Sequence, residues 1–223
     1  MNKSTIAIIP ARGGSKRLPQ KNTKTIGNLP LIVHSILYAK KHKFINEIYV
    51  TTDDKTIKKI ALEYGAKVID RPDSLSGDLE PTVSALKHVL LNIKDDVANV
   101  VLLQPTNPLR PENLLKEAFL IFQEKKCNSL FTVSQNHQKF GKIIDKKFIP
   151  FNYEIGQRSQ DLEPLYFENG LLYISKSELI FNNSIIDRNA YPMIIDHPFS
   201  EVDIDTIEDF EYAEYLFNKK TNS

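Results

Sequence analysis

The chain has one cysteine, Cys127, among 223 residues, which excludes an intramolecular disulfide and any cysteine-rich zinc framework. It also lacks long apolar runs. Four or five residues, as in Ile6–Ile9 or Val100–Leu103, are as long as they get, too short for a transmembrane helix or for the apolar core of a secretory signal. A reduced cytoplasm is the expected compartment. Neither sign of charge dominates: 29 Lys and Arg against 28 Asp and Glu give a net charge of +1. Nothing in that balance pushes the whole chain toward nucleic acid or an anionic membrane, so any attraction for anions must be local. Two common nucleotide motifs are missing as well, since there is no Gly-Lys-Ser/Thr loop ending and no G-x-G-x-x-G. His34, His42, His88, His137 and His197 are scattered without ligand spacing, and no Ser-His-Asp order suggests itself.

What is present is a rhythm. A composition of 41% hydrophobic and 26% charged residues suits one folded, water-soluble domain. Short apolar segments alternate with helical patterns along most of it. Strands are expected at Thr5–Ile9, Glu47–Thr51, Lys67–Ile69, Asn99–Leu103, Ser129–Val133, Leu171–Ser175 and Met193–Ile195. Helices are expected from Leu31 to Lys41, from a cap at Asp53 or Asp54 to Tyr64, and over Thr82–Ile93, Pro111–Lys125 and Ile207–Asn218. Pro30 opens the first of these and Gly65 stops the second. Strands buried on both faces and separated by helices predict an α/β fold with a mostly parallel, Rossmann-like sheet. Residues 135–170 break the pattern. They are polar, carry Lys139, Lys142, Lys146 and Lys147, and read as an excursion of short antiparallel strands from a single domain spanning 1–223.

In such a sheet, ligands bind at the carboxyl ends of strands. The first of these ends, after Pro10, leads into Ala11-Arg12-Gly13-Gly14-Ser15-Lys16-Arg17, with Lys21 and Asn22 just beyond. Gly13 and Gly14 allow close backbone approach, loop amides can form an anion nest, and Arg12, Lys16, Arg17 and Lys21 supply positive charge. That is a place to hold a polyphosphate. Gln104, Thr106, Asn107 and Arg110, in the two-proline loop after the buried Asn99–Leu103 strand, offer donors suited to a polyhydroxylated acid; the alternative is a turn into the next helix. Asp203 and Asp205, if extended, share one side, with Val202 and Ile204 on the other. Two such carboxylates suit Mg²⁺, but Asp205 with Glu208 also resembles a capping box. Glu168-Asn169-Gly170 reads equally as a turn with a left-handed glycine.

Taken in order, several stretches resemble the acylneuraminate cytidylyltransferase family, whose members make CMP-sialic acid. They are Ile8 to Pro19, Lys21-Asn22, Thr51-Thr52-Asp53, Arg71-Pro72, Leu103 to Arg110, Glu168-Asn169-Gly170 with Tyr173-Ile174, and Asp203 to Thr206. Each alone is weak, but the ordered set spans nearly the whole chain. The resemblance implies the sheet of nucleotide-diphospho-sugar transferases and transfer of CMP from CTP to the anomeric hydroxyl of a nonulosonic acid, releasing pyrophosphate, with Mg²⁺. It assigns Ala11, Arg12, Gly13, Ser15, Lys16, Lys21 and Asn22 to CTP, with Arg71 near the nucleotide. It assigns Gln104, Arg158 and Asn169 to the sugar, Asp203 and Asp205 to the metal, and catalysis to these aspartates with Lys16 and Lys21. The excursion resembles a dimerisation arm that reaches into a partner's site, which implies a homodimer. One departure stands out: family members often carry arginine where this chain has Ser159, with Arg158 one place earlier. A one-residue shift in an extended segment turns the side chain to the other face. The acceptor therefore stays open among sialic, legionaminic, pseudaminic, deaminated sialic and 3-deoxy-manno-octulosonic acids. A non-catalytic nucleotide-binding protein is the rival class, and the retained lysines and paired aspartates argue against it.

Overall fold

The computed structural model describes residues 4–221. In chain order its strands are β1 (Ser4–Pro10), β2 (Thr25–Ile26), β3 (Leu29–Pro30), β4 (Glu47–Thr52), β5 (Lys67–Asp70) and β6 (Val97–Leu102). They continue with β7 (Ser129–Asn136), β8 (Gly141–Ile144), β9 (Lys147–Pro150), β10 (Leu165–Lys176) and β11 (Tyr191–Ile194). The helices are α1 (Leu31–Lys40), α2 (Lys55–Glu63), α3 (Thr82–Asn92), α4 (Leu114–Lys125), α5 (Ser177–Phe181) and α6 (Ile207–Thr221). Seven strands form one sheet in the order β11-β7-β10-β6-β1-β4-β5. Only β10 runs antiparallel to its neighbours β6 and β7; the other pairings are parallel.

The alternation of side chains along β1 explains the layers. Ala7 and Ile9 point to one face, where α1, α2 and α4 cover them with Ile36, Ala61 and Leu115 among others. Ile6 and Ile8 point to the opposite face, under Leu86 and Val89 of α3 and Ile180 of α5. A strand covered on both sides must be apolar at every position, which is what made it legible. A third cluster joins Leu18, Leu109, Val202 and Ile204 to Ala213 and Leu216 of α6. It fixes three loops to one another at the carboxyl end of the sheet. No helix among the described residues is long and apolar enough to cross a membrane.

Local chemistry sets the boundaries. Asp54, not Asp53, caps α2, accepting from the amides of Thr56 at 2.7 Å and Ile57 at 2.8 Å. Gly65 ends it at φ 71°, the left-handed turn expected there. Helix α4 starts at Leu114 and not at Pro111, because Pro111 to Leu114 close a turn first, the Leu114 amide donating to the Pro111 carbonyl. Strand β10 begins six residues before Leu171, since its first part pairs with β7 out to Leu165 opposite Asn136. Gly170, at φ 72°, lies within the register shift between Glu168 and Tyr173. The excursion leaves after Asn136, folds as the β8–β9 hairpin, and rejoins the sheet at Leu165. The five-residue α5 escaped sequence reading because it is too short to show a helical period.

Candidate active site

Arg12, Lys21, Asn22, Arg71 and Gln104 come together in a cleft of about 220 Å³ at the carboxyl ends of β1, β5 and β6. Gly77, Asp78, Glu80, Pro81, Thr82 and Thr106 complete its lining with others. The loop after β1 is held open by its neighbours. Buried Asn22 donates to the Arg12 carbonyl at 2.9 Å, and the Gly13 amide donates to Asp53 at 3.0 Å. A Cβ on Gly13 would lie 2.8 Å from that of Asp54, so only glycine fits where the loop crosses the start of α2. Asn22 and Gly13 thus shape the loop from behind, while Arg12, Lys16 and Lys21 extend from it. Ala11 is buried and contributes backbone, its amide donating to the Thr51 carbonyl. Ser15 makes a tight turn onto the Gly13 carbonyl.

Lys21 reaches across to the aspartates. Its Nζ donates to the Ile204 carbonyl at 2.8 Å and to Asp205 Oδ1 at 2.9 Å, and Arg17 pairs with Asp205 Oδ2 at 2.5 Å. Val202 and Ile204 are buried while Asp203 and Asp205 face outward, the alternation expected of an extended segment. The Ile204 amide donates to the Thr106 carbonyl, which ties the segment to the proline loop. Asp203 opens to solvent, but protein crowds its carboxyl, and this desolvation raises its pKa above the usual range. Asp205 adds to the shift, and a hydrogen bond from Thr106 opposes it. The capping reading of Asp205 does not survive. Asp209 accepts from the Thr206 amide at 2.8 Å and Thr206 Oγ1 accepts from the Asp209 amide at 3.3 Å, so the box that starts α6 is Thr206 with Asp209, not Asp205 with Glu208.

Arg71 is buried beneath the cleft, donating through Nη2 to the Thr51 carbonyl at 3.1 Å, while its Nε has no partner among the described residues. Burial lowers its pKa, with Asp53 opposing the shift. Past Gln104 the cleft continues into a second hollow lined by Val83, Leu102, Glu168, Tyr173, Ile185 and Ile186. There Tyr173 donates to Glu168 at 3.1 Å, and burial pushes its phenol well above the usual range.

Two expectations for the proline loop need correction. Arg110 is fully enclosed. It donates to the Leu171 carbonyl at 2.7 Å, the Gln104 carbonyl at 2.9 Å and Ser35 Oγ at 3.1 Å, so it offers nothing to a ligand. Asn107 is equally buried and donates to the carbonyls of Val202 at 2.6 Å and Asn169 at 3.2 Å. Asn169, 4% exposed, accepts from Thr132 at 2.6 Å and donates to Ser134 at 3.0 Å, and so ties β10 to β7. Arg158 lies outside the cleft of its own chain, on the excursion, where it pairs with Asp161 at 2.7 Å. Asp78 and Glu80, which line the cleft, escaped sequence reading because their loop has neither period nor apolar anchor.

Three comparisons bear on this arrangement. A family model described as cytidylyltransferase matches residues 6–222. The N-acylneuraminate cytidylyltransferase of Streptococcus agalactiae serotype III is 32% identical over 231 aligned positions, covering 97% of this chain and 55% of the relative, so the chain spans about half that protein's length. The CMP-N,N'-diacetyllegionaminic acid synthase of Legionella pneumophila is 34% identical, with 95% of each chain covered. Among solved structures, a CMP:2-keto-3-deoxy-manno-octonic acid synthetase complexed with CTP superposes with a TM-score of 0.73. At 17% identity, covering 98% of this chain and all of that one, the last is a likeness of fold.

Proposed function

The chain belongs to the cytidylyltransferase family, and from that we propose that it transfers CMP from CTP to the anomeric hydroxyl of a nonulosonic acid, with release of pyrophosphate. The observation that carries the reading is Lys21, whose ammonium joins the phosphate loop to Asp205 and so places cations and carboxylates around one space. Arg12, Lys16 and Lys21 hold the triphosphate, and Arg71 meets the nucleotide from below. Gln104, between the cleft and the hollow beyond it, orients the acceptor. Alignment and charge neutralisation are what in-line attack at a phosphate needs, and no covalent nucleophile is required.

Asp203 and Asp205 fit a divalent cation as two hard oxygen donors that face outward from one extended segment, where Lys21 and Arg17 of the phosphate loop reach Asp205. When bound there, Mg²⁺ would neutralise phosphate charge and polarise the reacting phosphorus. The family-level test is pyrophosphate release with CTP, ATP or GTP against a panel of sialic, legionaminic, pseudaminic and octulosonic acids. CTP with one nine-carbon acid should give turnover. Turnover with ATP or GTP and none with CTP would overturn the reading.

The excursion supports a second copy of the chain as partner. Its hairpin and flanks leave Ile143, Phe151 and Ile155 exposed at 70%, 68% and 86%, more apolar surface than a lone arm tolerates in water. In a homodimer that surface is covered, and Arg158 is carried toward the partner's acceptor. Light scattering should give twice the chain mass, and the double variant Phe151→Asp, Ile155→Asp should give the single mass with the fold retained. A monomer in both cases would remove the dimer and Arg158's role with it.

A further inference from the structure

The cations of the phosphate loop are already occupied. Asp78 sets Oδ1 2.8 Å from Arg12 Nη1 and Oδ2 2.5 Å from Lys16 Nζ, so one carboxylate spans two of the groups assigned to the triphosphate. It comes from the opposite wall of the cleft, on the loop between β5 and α3. That loop has little else to hold it. Its backbone hydrogen bonds close on itself, from Leu75 to Pro72, Ser76 to Asp73 and Glu80 to Gly77. Leu79 beside Asp78 is 97% exposed, and the nearest buried residue before it is Arg71. The Lys16 contact, with Arg12 behind it, also holds the Asp78 carboxyl below its ordinary pKa, so it stays an anion at any pH near neutrality.

A phosphate and a carboxylate cannot share the same two cations without direct repulsion between them. We propose that Asp78 is an internal counter-anion which the triphosphate must displace from Arg12 and Lys16, and which reclaims them when pyrophosphate leaves. The inference rests on the nucleotide reading of the cleft. Its consequence is selectivity by charge. Ligands with a polyphosphate chain compete with Asp78, whereas the nucleoside alone never meets it. Affinity for CTP and for pyrophosphate is thereby held down, which favours product departure from a site rich in positive charge.

The test is calorimetric binding to the whole chain at fixed Mg²⁺ and low salt, with CTP, inorganic pyrophosphate and cytidine as the three probes. Two exposed ion pairs are removed in Asp78→Asn, which should tighten CTP and pyrophosphate about threefold to tenfold and leave cytidine unchanged. Asp78→Ala, which cannot hydrogen-bond to either cation, should do the same, and the gain should shrink in high salt. The loop carries no core residue, so both variants should melt with the parent chain. If the parent binds CTP and pyrophosphate and neither variant binds them more tightly, the counter-anion is overturned and the nucleotide site stands. If the parent binds neither probe, the nucleotide reading falls and the inference with it.

Discussion

Asp205→Asn is expected to cut turnover by on the order of a hundredfold or more, given that a bound metal contributes several kcal/mol at the transition state and each 1.36 kcal/mol is tenfold. Asp203→Asn should do the same. The fold should be retained in both, because the start of α6 depends on Thr206 and Asp209 and not on either carboxylate. The Asp205 amide itself donates to Asp209 at 3.0 Å, so the side chain at 205 can change without releasing the helix. What Asp205→Asn does release is Arg17 and Lys21, which its carboxylate now holds. Those two losses can be separated from loss of the metal. A metal ligand moves the Mg²⁺ concentration for half-maximal rate upward, whereas a mere anchor for Lys21 moves the KM for CTP and leaves the Mg²⁺ dependence alone. Full activity in Asp205→Asn would return the residue to surface charge pairing.

The largest loss of stability should come from Arg110→Ala. Burial pushes the guanidinium pKa down to about 10, so it is still charged at neutral pH, and it has no carboxylate among its hydrogen-bond partners. Instead it neutralises two carbonyls, stacks 5.6 Å from the Tyr38 ring and fills the space between α1, β10 and the loop after β6. Removing it leaves buried acceptors unsatisfied at about 1–3 kcal/mol each, with a cavity besides. A loss of roughly 3–5 kcal/mol, or about 10 °C in Tm for a chain of this size, is expected from urea and thermal unfolding. Arg110→Lys keeps the charge with fewer directed donors and should fall between. A loss below about 1 kcal/mol would mean that water had taken over the carbonyls. A changed KM for the acceptor at full stability would restore the ligand-binding role that sequence reading gave this residue.

The contrast between Arg110 and Lys21 shows where sequence reading ends. Both are basic residues in loops at the carboxyl end of the sheet, and spacing treats them alike. Lys21 meets a carboxylate at the cleft; Arg110 turns inward because Leu171, Ser35 and Gln104 present oxygen atoms there. Two of those three, Leu171 and Ser35, lie more than sixty positions away in sequence, so no local pattern announces them. Central strands such as β1 were plain because burial on both faces demands apolar residues throughout. The antiparallel course of β10 was not, since pairing direction leaves no mark on a short apolar run. The aspartate pair was visible as an alternation, yet its competing role as a cap was settled only by the position of Asp209. Asp78 stayed hidden for a related reason: it acts through two ion pairs across a gap of more than sixty positions, and its own neighbours say nothing of it.

Because β7 and β10 pair antiparallel, everything between Asn136 and Leu165 is, topologically, the tip of one long hairpin. Both ends of that tip are clamped by the same ladder, and the parallel crossovers that build the cleft pass elsewhere. Lengthening, shortening or exchanging the tip therefore leaves the register of Gln104, Lys21 and the aspartates untouched. Its entropic cost grows only with the logarithm of its length, by about 0.6 kcal/mol per doubling. A fold wired this way can drift freely in this segment while the nucleotide cleft of its own chain stays fixed. Grafting a relative's tip between Asn136 and Leu165 should change which chains associate without changing which nucleotide is used.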